Sequence, residues 1–156
     1  MTGLFKILTL ISILELLFNG NYLLSLPSIL IVEDEKLVRE SLRDVLLMTD
    51  LVNVFVARNG LVAIKQLTKH NKKISCMMLD LAMPKMSGIE VLDWVRKNHH
   101  FPLGIILTSG YSEREIKARM DIDDTSIIKI SYVKKPYTID IILKTIPNTI
   151  EIIQNL

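Results

Sequence analysis

From residue 28 onward, short apolar runs alternate five times with segments whose apolar residues recur at helical spacing. SILIV at 28–32, VNVFVA at 52–57, the apolar run from Met77 to Leu81 interrupted by Asp80, LGIIL at 103–107 and a stretch within IIKISYV at 127–133 read as strands. Val38, Leu42, Val45 and Leu46 give the first helix one apolar face, opposite Lys36, Arg39, Glu40 and Arg43. After an Asn59-Gly60 turn, Ala63, Ile64 and Leu67 give the second helix its face, and Ile89, Leu92 and Val95 point the third inward. The pairs Ser87/Glu90 and Ser112/Glu115 are capping boxes, so helices are expected from about 88 and from about Glu113 to Met120, with a loop over 121–126. The last helix starts near Thr138 and carries Ile139, Ile142, Leu143, Ile146, Ile150 and Ile153 in register. Pro147 lacks the amide proton that a helix interior uses, so a kink or an early end is expected there. Such alternation requires parallel strands joined by right-handed crossovers, with helices on both faces. The predicted class is α/β, a doubly wound five-stranded parallel sheet.

That topology brings every chemically interesting residue to one edge. Glu33 and Asp34 follow strand one, Asp80 ends strand three, Thr108 follows strand four, and Lys135 follows strand five. In an open α/β sheet this carboxyl-terminal edge is where ligands bind. Taken singly, Glu33–Glu35 would serve as the acidic first turn of a helix. Asp80 would be a satisfied buried acid, Thr108 an N-cap, and Lys134 and Lys135 surface charge. Their convergence on four strand tips argues for a site. Three carboxylates in one crevice repel and push one another toward protonation, and a divalent cation removes the conflict. Oxygen-only ligands without His or Cys suit Mg²⁺. Lys135 adds a cation on a flexible stem and Thr108 a hydroxyl donor. Together these groups describe phosphoryl transfer to an aspartate.

Composition narrows the field further. A length of 156 residues suits one domain with a core, and a formal net charge of +2 gives no electrostatic footprint for nucleic acid. Cys76 is the only cysteine, and its place in an apolar strand marks it as a reduced, inert core residue.

The segments ILIVEDE, MMLDLAMPKMSG, ILTSGY and YVKKPY resemble the receiver domain of bacterial two-component response regulators, in its stand-alone, chemotaxis-regulator-like form. The resemblance covers residues 28 to about 146 and implies a flavodoxin-like sheet of order 2-1-3-4-5. It implies that Asp80 is the phosphoacceptor for a sensor histidine kinase or phosphotransfer protein. Asp34 would ligate Mg²⁺ directly, Glu33 through water, and the backbone carbonyl of Ala82 would be a further ligand. Thr108 matches the switch hydroxyl. Lys135, rather than Lys134, matches the family's lysine, because it precedes Pro136 in a bond that is often cis. Tyr132 matches the aromatic that rotates between exposed and buried states, reshaping the surface of helix four, strand five and helix five for an output partner. The implied setting is cytoplasmic, and the implied role is that of a phosphoacceptor rather than a turnover enzyme. Ala82 and Gly110 depart from the family by lacking polar side chains. Neither can orient an attacking water, so the phosphoryl lifetime is expected to depend on other factors or on a partner phosphatase.

Competing classes fit less well. A phosphorylation-independent interaction module would not need the intact acids, Thr108 and Lys135. A haloacid-dehalogenase-type phosphatase would carry a second acid where Ala82 stands. A flavodoxin would have a hydroxyl-rich loop after strand one, and a dinucleotide binder G-x-G-x-x-G, where this chain has three acids.

Residues 1–27 read differently from the domain expected over 28–156. LFKILTLISILELLF at 4–18 is apolar apart from a thin stripe of Lys6, Thr9, Ser12 and Glu15. An extension outside the domain and an amphipathic helix for a partner or membrane surface fit better than a membrane span, in which Lys6 and Glu15 would be costly. A secretory signal fits least, since no A-x-A-like site follows. Because little chain follows the last helix, a stand-alone receiver, a relay or a fragment of a hybrid kinase is expected.

Overall fold

A computed structural model describes residues 26–119 and 125–154. Its elements in chain order are β1 (Ser28–Val32), α1 (Lys36–Leu47), β2 (Asn53–Ala57), α2 (Gly60–Lys69), β3 (Ile74–Asp80), α3 (Gly88–Asn98), β4 (Leu103–Ser109), α4 (Glu113–Arg119), β5 (Ile128–Lys134) and α5 (Ile139–Gln154). All strand pairings are parallel, and the sheet order is β2-β1-β3-β4-β5. The expected flavodoxin-like α/β architecture is therefore the one observed.

Period-two alternation sorts the strand residues between two cores. Leu30, Val32, Met77, Leu79, Ile105 and Leu107 face one side, where Ala63 and Leu67 of α2, Val91, Leu92 and Val95 of α3 and Ile116 of α4 cover them. Ile29, Ile31, Cys76, Met78 and Ile106 face the other, beneath Leu42 and Leu46 of α1 and Ile142, Ile146 and Ile150 of α5. Burial on both faces explains why β1, β3 and β4 are near-continuous apolar runs rather than alternating ones.

Several boundaries differ from the sequence reading, each for a local reason. β3 begins at Ile74, before the apolar run, with the Ser75 hydroxyl 3.4 Å from the Ser28 carbonyl. β4 continues through Thr108 and Ser109, which pair with Val133 and Lys134. Gly60 is the first residue of α2 rather than part of a turn, and Asn59 caps it by accepting from the Val62 amide at 3.0 Å. In α3, Val91 is fully buried while Ile89 is half-buried. α5 does not end at Pro147 but runs to Gln154. Its later turns are anchored by buried Ile150 and Ile153 and by Thr149, whose hydroxyl is 3.0 Å from that of Ser131. Both capping boxes form, with Ser87 bonded to Glu90 and Ser112 to Glu115. The readings for residues 1–25, Met120 and the 121–124 loop lie outside the described residues.

Candidate functional site

Strand order reverses between β1 and β3, because the chain leaves β1 toward β2 and returns on the other side. The tips of these two strands flank the switch point where α/β sheets hold ligands. Val32 is in register with Leu79, and Asp80 with Thr108, so Glu33, Asp80 and Thr108 emerge side by side. Thr108 pairs onward with Val133, and the Lys135 amide donates to the Ser109 carbonyl at 2.6 Å. The chain then turns at a cis Lys135–Pro136 bond.

Lys135 is the hub. Its Nζ donates to Asp80 Oδ2 at 2.8 Å and to Glu33 Oε2 at 2.9 Å. Both acids are 4 % exposed, so this ammonium offsets two carboxylates that would otherwise be buried without a countercharge. The second Asp80 oxygen, Oδ1, accepts from the Ala82 amide at 3.1 Å, and Glu33 Oε1 accepts from the Glu35 amide at 3.2 Å. Burial raises the Glu33 pKa, and nearby Asp80 adds to this, while the Lys135 hydrogen bond pulls it back. Burial works against the Lys135 charge, but its bonds to Asp80 and Glu33 prevail and hold it above the usual lysine value. Lys134, by contrast, ends β5 exposed and outside this cluster.

Asp34 stands at the solvent mouth. One oxygen from each of Glu33, Asp34 and Asp80 lies within 4.8 Å of the others, close enough to share a cation. Three carboxylates against one ammonium leave two negative charges uncompensated, and every donor is an oxygen. That donor set fits Mg²⁺.

The loop after β3 is built to hold Asp80. The Leu81 amide donates to the Thr108 carbonyl at 3.1 Å, and the Gly88 amide returns to the Leu81 carbonyl at 3.2 Å. Lys85 takes a left-handed conformation, φ 70°, within this turn. Gly88 presses against the strand end: a Cβ there would sit 2.3 Å from the Asp80 carbonyl oxygen and 2.8 Å from Leu81 Cα. Only glycine permits so close an approach.

The family model for the response regulator receiver domain matches residues 29–147. The chain belongs to this family. Among relatives, this receiver is 33 % identical to the transcriptional regulatory protein CpxR of Escherichia coli K12 over 111 residues, covering 70 % of this chain and 43 % of CpxR. It is 26 % identical to response regulator RR06 of Streptococcus pneumoniae over 119 residues, 76 % of this chain and 51 % of that protein. The receiver thus spans about half the length of these relatives. Among solved structures, it resembles the response regulator TrrA of Thermotoga maritima in complex with Mg²⁺–BeF, with a TM-score of 0.64 and 27 % identity over 80 % of this chain and 99 % of that one. The chain is a two-component signalling receiver with the flavodoxin-like fold.

The remaining residues singled out by sequence are placed as follows. Thr108 is buried at the β4 tip, beside Asp80 in the sheet. Tyr132 is half-buried on β5, packed against the core under α2, α3 and α4, with Lys117 Nζ 5.3 Å from its ring centre. Ala82 is exposed, and its amide already engages Asp80. Two contributors escaped the sequence reading. Arg39, assigned only to the polar face of α1, donates from Nη1 to the Glu33 carbonyl at 2.7 Å and the Asp34 carbonyl at 3.0 Å, fixing the acidic loop. Its place one helical turn beyond the acids was the available signal. Tyr137 packs against the α1–α5 core within the field of Lys135, Glu33 and Asp80, and burial raises its pKa.

Proposed function

We propose that Asp80 accepts a phosphoryl group from a phosphohistidine of a sensor kinase or phosphotransfer protein. The observation carrying this reading is the single Lys135 ammonium shared by Asp80 and Glu33 at 2.8 and 2.9 Å. A lone pair on an Asp80 oxygen attacks phosphorus in line. An O–P bond forms as the P–N bond to the donor imidazole breaks, and the released nitrogen takes up a proton from water. Lys135 stays within reach of the equatorial oxygens, where charge concentrates. The Ala82 amide steadies the carboxylate that attacks. Glu33, Asp34, Asp80 and the Ala82 carbonyl would hold Mg²⁺, which when bound supplies charge neutralisation for the incoming phosphoryl group.

The modified side chain carries nearly two added negative charges. Thr108, one strand over, donates its hydroxyl to the new oxygens, and the space it leaves admits the Tyr132 ring. The α4–β5–α5 surface changes shape, and an output protein in the cytoplasm reads it. Nothing in the net charge of +2 points to direct nucleic-acid binding. Ala82 and Gly110 offer no polar side chain, so the lifetime of the acyl phosphate is set by other factors or by a partner phosphatase; a spontaneous half-life of seconds would contradict this.

Intact mass after incubation with Mg²⁺ and acetyl phosphate tests the reading. Wild type should gain one phosphoryl group, and Asp80→Asn or removal of Mg²⁺ by a chelator should abolish the gain. No gain in wild type, from acetyl phosphate or from phosphorylated histidine kinases, would overturn it.

A further inference from the structure

The opposite edge of the sheet carries a different surface. Every helix here returns a parallel strand to its start, so α1 and α5 end at the amino-terminal edge on the same face. At these ends three apolar side chains are exposed beside the buried Leu46 and Ile153. Leu47 is 46 % exposed, Met48 79 % and Ile152 47 %. The chain enters the domain at this same edge through Leu26, itself 38 % exposed. Asn53, the first residue of β2, ties the entry to the start of that strand: its side-chain amide donates to the Leu26 carbonyl at 3.1 Å, and its backbone amide to the Pro27 carbonyl at 2.9 Å. Leu47, the last residue of α1, and Met48, its C-cap, stand a few residues before the strand to which the entering chain is fastened.

Residues 1–25 lie outside the described structure, and their sequence matches this surface. Within 4–18, Ile7, Ile11, Leu14 and Phe18 recur at helical spacing opposite the thin polar stripe. As a helix this stretch would be about 22 Å long, enough to cross from the end of α1 to that of α5. Residues 19–25 form a connector that reaches up to about 24 Å when extended, so the helix can fold back onto the edge where it is attached. Both surfaces are apolar, and joining them within one chain avoids the translational entropy that a separate partner would lose.

We propose that residues 4–18 of the same chain dock as an amphipathic helix across the ends of α1 and α5, with Ile7, Ile11, Leu14 and Phe18 facing Leu47, Met48 and Ile152. This surface lies across the sheet from the phosphoacceptor and does not depend on its chemistry.

The test uses the full chain carrying Met48→Cys, since the native Cys76 is buried, with burial pushing its thiol up to about 12, and gives little background. The expected result is a monomer whose residue-48 thiol reacts at least tenfold more slowly with a maleimide than a free thiol. Adding Ile11→Glu should restore the fast rate while the far-ultraviolet spectrum of the α/β domain persists. Three results would each overturn the proposal: a fast rate in the monomer, protection that appears only as the protein dimerises, and protection that requires phospholipid vesicles.

Discussion

β3 contains two deeply buried groups of opposite character, four residues apart. Cys76, in the middle of the strand, is surrounded by the α1–α5 core, and burial alone pushes its thiol up to about 12. Asp80, at the tip, is buried almost as completely but meets the Lys135 ammonium at 2.8 Å and the Ala82 amide at 3.1 Å. Burial without a partner keeps the thiol neutral and unreactive, whereas Asp80 is buried beside a fixed cation and a donor, the setting of the proposed nucleophile. On the proposed function, the strand interior supplies stability and the strand tip chemistry, a division that mutation can separate.

The largest stability effect belongs to the interior. Ile106→Ala removes a fully buried side chain next to Cys76 and Met78, and should cost about 3–4 kcal/mol in urea denaturation while leaving acetyl phosphate labelling intact under conditions where the variant is folded. A smaller effect tests the tip. Mg²⁺ at about 100 times its dissociation constant should stabilise wild type by about 2.7 kcal/mol. Asp34→Asn, changing the exposed acid of the proposed Mg²⁺ site, should lose most of this increment without losing basal stability.

Two glycines on the same edge sharpen the contrast. Gly88→Ala would force a Cβ against the Asp80 and Leu81 backbone and should cost about 2 kcal/mol together with slower phosphorylation. Gly110→Ala meets nothing within 4 Å and should change stability by less than about 0.5 kcal/mol.

Much of this was legible in the sequence because the signals were periodic or punctuated. The SILIV run gave β1 its observed limits, and the Ser87 and Ser112 boxes located the starts of α3 and α4. The convergence of Glu33, Asp34, Asp80, Thr108 and Lys135 followed from parallel topology alone. What escaped were tertiary compensations. Pro147 signals a helix stop locally, but Ile150, Ile153 and Thr149 hold the following turns on the sheet. Gly60 signals a turn, yet it opens α2 where a Cβ would strike Met86 and Val91 at 2.7 Å. Arg39 looked like solvent-facing charge, since a bond to two backbone carbonyls leaves no mark in residue type.

The smallest predicted effect is in the pH dependence of stability, measured with a chelator present. His99 is buried, and that burial, reinforced by the charge of His100, lowers its pKa. Its contribution is complete above the usual histidine value and is lost as pH falls through the folded value. Glu33 has the opposite sign: with its pKa raised, its contribution is complete below the usual carboxylate value and is lost as pH rises through the folded one. His99→Gln should therefore flatten the loss of stability just below neutrality, and Glu33→Gln should remove the opposing trend at more acid pH.

On the proposed function, the strand tips make Asp80, among several neighbouring acids, the nucleophile. Borohydride reduces an acyl phosphate to the corresponding alcohol, so treating the phosphorylated full chain and locating the altered residue by tandem mass spectrometry tests this directly. Alteration at residue 80 alone is the predicted result. A product at Glu33 or Asp34, or a phosphoryl group that resists reduction on a hydroxyl side chain, would rule out Asp80 as the sole phosphoacceptor.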